Sequence, residues 1–111
     1  MEEMRMNGSN AFIYCRVLSE KNRNLLLYQE EVLSKKAKED GYEIFAKAHV
    51  VGSGRNFEYF EIQTLIGFIR KEKIDAIYIY DRTKLCVYEE LYMEFRMLCD
   101  MHHIDIVCLN S

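Results

Sequence analysis

The sequence predicts a three-layer α/β domain in which a mostly parallel, four-stranded sheet carries helices on both faces. Two observations carry this. Four short apolar runs alternate with three segments of helical spacing, giving the order β-α-β-α-β-α-β, which right-handed crossovers convert into a parallel sheet covered on its faces. The 111 residues, half of them hydrophobic and none of them proline, suffice for one compact core and leave no room for a second domain.

Residues 11–17 form an apolar run behind Asn7-Gly8-Ser9-Asn10, which reads as a buried first strand, followed by a polar loop over 18–24. Leu25, Tyr28, Val32, Leu33 and Ala37 keep helical spacing; Asn24 is placed to cap this helix and Gly41 to end it. Residues 42–51 give a second strand whose alternation is interrupted by Lys47 and His49, as suits an edge position. Gly52-Ser53-Gly54-Arg55-Asn56 is a turn or loop. Behind it, Ile62, Leu65, Ile66 and Ile69 mark a second helix, closed by the mostly cationic Arg70-Lys71-Glu72-Lys73, which complements the helix dipole. The β-branched and aromatic block 76–80 is a central strand. Tyr88, Leu91, Tyr92, Phe95, Leu98 and His102 share one face of a third helix, and residues 104–109 supply the last strand. The division expected is a polar N-terminal segment over 1–10 and a single domain over 11–111.

Composition narrows the function classes. No apolar run approaches the roughly 20 residues of a membrane span, and residues 1–10 lack the apolar stretch of a secretion signal, so a cytoplasmic protein without a membrane partner is expected. A net charge of -3 is a poor footprint for a protein holding DNA by itself. Cys15, Cys86, Cys99 and Cys108 lack the paired spacing of a zinc ribbon, and buried reduced thiols are their ordinary reading; Cys99, His102, His103 and Cys108 read as a helix end rather than a metal site. No metal and no cofactor are expected. The loop from Gly52 to Arg55 lacks the Gly-Lys-Ser/Thr ending of a nucleotide-binding loop.

In parallel sheets the functional crevice lies beyond the carboxyl ends of the strands, so topology alone brings Arg16, the 52–56 loop and Asp81-Arg82 together. Each has a plainer reading: the arginines as surface residues on strand ends, Asp81 as the partner of a neighbouring arginine, Gln29 as an exposed helix residue.

Tyr14-Cys15-Arg16-Val17-Leu18-Ser19, Gln29 on the first helix, Ser53-Gly54, and Ile74-Asp75 leading to a strand that ends in Asp81-Arg82 occur in the order and on the elements of one known domain. In this the chain resembles the N-terminal catalytic domain of the resolvase/invertase family of serine recombinases over nearly its whole length, and the implied fold is resolvase-like with flavodoxin-like topology. The resemblance implies site-specific DNA recombination without a metal: a serine attacks phosphorus, a phosphoserine joins protein to DNA, and a freed 3′ hydroxyl later reseals. Arginines would stabilise the phosphoryl charge. Arg16 and Arg82 match two of them, and Asp81 would orient an arginine or assist proton movement.

The chain also departs from that pattern. Leu18 stands at the nucleophile position, and an alkyl group has no lone pair to donate. Tyr59 and Leu85 stand where the family has two further arginines, and each lost charge stabiliser costs about 10² to 10³ in rate. Ser19, Arg55 and Lys84 are the neighbours that could compensate. The catalytic candidates are therefore Ser19, Arg16, Asp81 and Arg82, and the DNA phosphate-binding candidates Arg16, Arg55, Arg82 and Lys84.

Three readings stay open. The first is a truncated, catalytically impaired recombinase-like domain, or mobile-element remnant, that binds DNA weakly alone and associates with itself or with a full-length recombinase. The second is an active strand transferase using Ser19, with DNA binding supplied by a partner. The third is a nucleotide- or small-molecule-binding module sharing only the topology.

Overall fold

The computed structural model describes residues 9–110, so the polar segment expected over 1–10 lies outside the described residues except for Ser9 and Asn10. Strands β1 (Asn10–Val17), β2 (Glu43–Val51), β3 (Ala76–Ile79) and β4 (Asp105–Cys108) form one sheet in the order β2-β1-β3-β4, with every pairing parallel. Helices α1 (Asn24–Glu39), α2 (Phe60–Arg70) and α4 (Glu89–Met101) make the crossovers. A 3₁₀ turn (Glu20–Asn22) and a four-residue helix, α3 (Arg82–Leu85), follow the ends of β1 and β3.

The three layers follow from side-chain alternation along the inner strands. Ala11, Ile13, Cys15 and Val17 of β1, with Ala76 and Tyr78 of β3, pack against Leu26, Leu33 and Ala37 of α1. Phe12 and Tyr14 of β1, with Ile77 and Ile79, turn to the opposite face, where α2 supplies Ile62, Leu65 and Ile69 and α4 supplies Tyr92, Phe95 and Cys99. Each fully buried Leu or Ile contributes about 1.5–3 kcal/mol of apolar transfer, which makes these two clusters the main cohesive terms. The strand with imperfect alternation, β2, is at one edge of the sheet as expected, and β3 is interior.

Two expectations for α1 need correction. Arg23, not Asn24, is the cap residue, and no side chain caps the helix: the chain enters it directly from the 3₁₀ turn with Arg23 already in helical backbone geometry. The buried face carries Leu26, Gln29, Leu33 and Ala37, while Leu25 and Tyr28 are exposed. In the run Leu25-Leu26-Leu27 all three residues are equally apolar, so spacing alone does not fix the phase. The sequence reading also missed α3, since four residues are too few to show a periodicity. Among the described residues, no helix is long and apolar enough to cross a membrane, and no group of three or more His, Cys, Asp or Glu side chains is placed to hold a metal ion.

Candidate phosphate-binding site

The carboxyl end of β1 delivers Arg16 into the sheet's switch point, between β2 on one side and β3 on the other. Arg16 is only 6% exposed, and a buried guanidinium needs acceptors for its N–H groups. Backbone carbonyls provide them. Nε donates to the Lys84 carbonyl at 3.0 Å, Nη1 to the Gly52 carbonyl at 2.7 Å and Nη2 to the Thr83 carbonyl at 2.6 Å. One side chain thereby ties the exit of β2 to α3 through charge-assisted hydrogen bonds.

Gln29 fixes the same residue from the other layer. Its Oε1 accepts from the Arg16 backbone N–H at 3.1 Å and its Nε2 donates to the Arg16 carbonyl at 3.0 Å. At 5% exposure, Gln29 is thus a buried partner of the candidate arginine, which resolves the two readings its sequence position allowed.

The loop after β2 lies directly on the Arg16 side chain. A Cβ added at Gly54 would come within 2.6 Å of the guanidinium carbon, and one at Gly52 within 2.5 Å of the Tyr59 hydroxyl. The Tyr59 phenol oxygen accepts from the Gly54 backbone N–H at 3.1 Å and lies 3.4 Å from Ser53 Oγ. These contacts, that with Ser53 foremost, together with the positive charge of Arg16, hold the phenol below the usual tyrosine range. The Gly54 carbonyl in turn accepts from the Val87 N–H at 2.9 Å. Tyr14 is fully buried and its hydroxyl has no hydrogen-bond partner among the described residues; burial pushes its ionisation well above the ordinary range.

Asp81 caps α3. Its Oδ1 accepts from the Thr83 N–H at 2.9 Å and from the Thr83 hydroxyl, an Asx-type cap that the sequence Asp81-Arg82-Thr83 could have signalled. Arg82 is exposed; its Nη2 lies 3.8 Å from Glu89 Oε2 and its guanidinium carbon 5.6 Å from the centroid of the Tyr92 ring. With Asp81, Thr83, Cys108 and Asn110 it lines an open depression of about 590 Å³. The anticipated gathering at the carboxyl edge therefore occurs between chain segments: Arg16 binds the backbone of α3, while the Arg82 guanidinium has a different set of neighbours.

Of the remaining candidates, Leu18 is 68% exposed just past β1. Ser19 is partly exposed and extended, its carbonyl accepts from Asn22 N–H at 3.0 Å, and its hydroxyl makes no cap hydrogen bond. Arg55 is exposed on the loop and Lys84 partly so. Leu85 is fully buried in the α2/α4 core, so a charged side chain there would have to displace apolar packing. The binding partners that sequence reasoning missed are main-chain carbonyls, at Gly52, Thr83 and Lys84, which no side-chain motif announces.

The family model described as "Resolvase, N terminal domain" matches residues 11–111. Among solved structures, the chain is similar to the C-terminal catalytic domain of ISC1926 TnpA, an IS607-like serine recombinase, with a TM-score of 0.87 and 20% identity over 92% of this chain and 71% of that one. It is similar to the N-terminal catalytic domain of TP901-1 integrase, with a TM-score of 0.81 and 21% identity over 91% of this chain and 78% of the other. A serine recombinase from Sulfolobus solfataricus gives a TM-score of 0.81 and 20% identity over 93% and 69%. At these identities the likeness establishes the fold. No curated protein matches the chain.

Proposed function

The chain belongs to the resolvase N-terminal domain family, and from that membership we propose that it is a recombinase-type domain that meets DNA phosphates but does not cut DNA, acting by association with a second copy of itself or with a full-length recombinase. The observation that carries this reading is Leu18, whose exposed hydrocarbon follows the strand end held by Arg16, where strand cleavage would need a hydroxyl. Tyr59 and Leu85 support it, because each replaces an expected charge stabiliser with a side chain engaged in the loop or the core. The exposed Arg55 and Arg82 and the partly exposed Lys84 are the cations for phosphate contact, joined by Arg16 once its carbonyl partners give way, a cytoplasmic setting being part of the same proposal.

The test is incubation of the full chain with nicked suicide duplexes, followed by denaturing electrophoresis. No covalent protein-DNA adduct is expected. A second reading rests on the partly exposed Ser19, whose hydroxyl makes no cap hydrogen bond: an adduct abolished by Ser19→Ala would replace the non-cleaving reading with an active one. Sedimentation velocity addresses association, since a chain that stays monomeric at high concentration and ignores an added serine recombinase removes that half of the proposal.

A further inference from the structure

We infer that Tyr59 is a positioning residue that keeps Arg16 folded inward, so that the domain rests in a closed state and Arg16 receives a phosphoryl group only when the Gly52–Ser53–Gly54 loop is released. The inference rests on the reading of Arg16 as a phosphate-receiving residue and assigns the control of that residue to a tyrosine where the family pattern has an arginine.

Five contacts link the tyrosine, the loop and the guanidinium. The Tyr59 hydroxyl holds the Gly54 N–H and lies beside Ser53 Oγ, fixing the loop from above. The Gly54 carbonyl is anchored to Val87, fixing it at the side. The Gly52 carbonyl, on the same three-residue loop, accepts from Arg16 Nη1 at 2.7 Å. The Gly54 backbone covers the guanidinium so closely that no Cβ would fit between them. An incoming anion must displace this cover and compete with three carbonyls already in place. Arginine at position 59 would bring a second cation to Arg16 and a donor in place of an acceptor for the Gly54 N–H. Tyrosine does the opposite, since its lone pair satisfies that N–H and its ring packs on Gly52. The lowered phenol ionisation has the same origin, because donors surround the oxygen and Arg16 is near.

Tyr59→Phe keeps the ring and removes the acceptor, and losing one hydrogen bond of this kind shifts a local opening equilibrium by about three- to ten-fold. Two readouts are taken on the full chain. The first is hydrogen exchange at the Arg16 Nε–H, followed by ¹⁵N NMR with β1 backbone amides as the internal reference. It is expected to accelerate about three- to ten-fold in Tyr59→Phe while the β1 amides stay protected. The second is affinity for inorganic pyrophosphate, expected to rise by a similar factor and to lose that gain in Tyr59→Phe/Arg16→Gln. Unchanged Nε–H exchange overturns the inference, as does faster exchange without tighter pyrophosphate binding or a gain that survives loss of Arg16. Should Arg16→Gln fail to fold, the exchange and pyrophosphate measurements on Tyr59→Phe alone still decide. Because neither readout uses DNA, a chain that ignores DNA yet shows both effects would keep the latch and discard the recombinase-type role.

Discussion

Gln29 and Arg16 are joined by a closed pair of hydrogen bonds in which the amide of one side chain satisfies both the N–H and the C=O of the other residue's backbone, at 3.1 and 3.0 Å. A helix in one layer is thereby fixed to the strand end that presents the candidate arginine to the other layer. The same two backbone groups are buried, so no solvent stands ready to replace the amide.

Gln29→Leu should therefore cost about 2–4 kcal/mol of unfolding free energy, since it orphans a donor and an acceptor together. Urea titration of the purified chain measures this. A loss below about 0.5 kcal/mol would mean that the pair is not holding the strand end.

Gly54→Ala and Gly41→Ala separate collision from backbone strain. Both glycines have left-handed backbone, with φ of +74° and +95°, but only Gly54 has a neighbour, the Arg16 guanidinium, in the space a Cβ would take. Gly41→Ala should cost about 1 kcal/mol from conformation alone. Gly54→Ala should cost clearly more, and equal losses in chemical denaturation would contradict the close contact.

Tyr78→Phe tests an acid-side linkage. The Tyr78 hydroxyl donates to Asp40 Oδ2 at 2.5 Å and, followed by the Lys36 ammonium, holds the Asp40 carboxyl below its ordinary value. A carboxylate depressed in the folded state adds stability above its unfolded pKa, and that stability is lost as pH falls through the folded one. The wild-type chain should lose more stability between neutral pH and pH 3 than Tyr78→Phe does. Parallel urea midpoints across that range would show two identical slopes if the hydrogen bond is not formed.

Thiol labelling should follow burial. Desolvation pushes Cys15 and Cys99 up to about 12, and Cys86 is equally hidden, whereas Cys108 is half-buried on β4. With a disulfide reagent at pH 8, Cys108 should react first and the other three only as fast as the fold opens. Early modification of Cys15 would show that the α1 face is not closed.

Leu18→Ser should not restore DNA cleavage. The new hydroxyl would still lack charge stabilisers at Tyr59 and Leu85, and Arg16 would still be bound to carbonyls. Covalent adducts formed by this single variant on suicide duplexes would show that the remaining cations suffice.

Much of the fold was legible because the strands are short, largely apolar blocks alternating with helices, and right-handed crossovers then require a mostly parallel sheet. The face of α1 was not, since Leu25-Leu26-Leu27 offers no polar contrast and the true stripe contains a glutamine. The site divides the same way. Topology brings the ends of β1, β2 and β3 together, and sequence order shows this. Whether a guanidinium turns to solvent or to main chain depends on carbonyls at Gly52, Thr83 and Lys84, and every residue carries a carbonyl, so sequence cannot mark those three.

Among the described residues, two helices shield one side of the sheet and α1 shields the other. Detaching that one helix would uncover Ala11, Ile13, Cys15, Val17, Ala76 and Tyr78 in a single event, a sticky plane able to recruit other chains. The sixteen residues of α1 thus guard that plane against aggregation, and slow docking of the segment during refolding is where losses of soluble protein should concentrate.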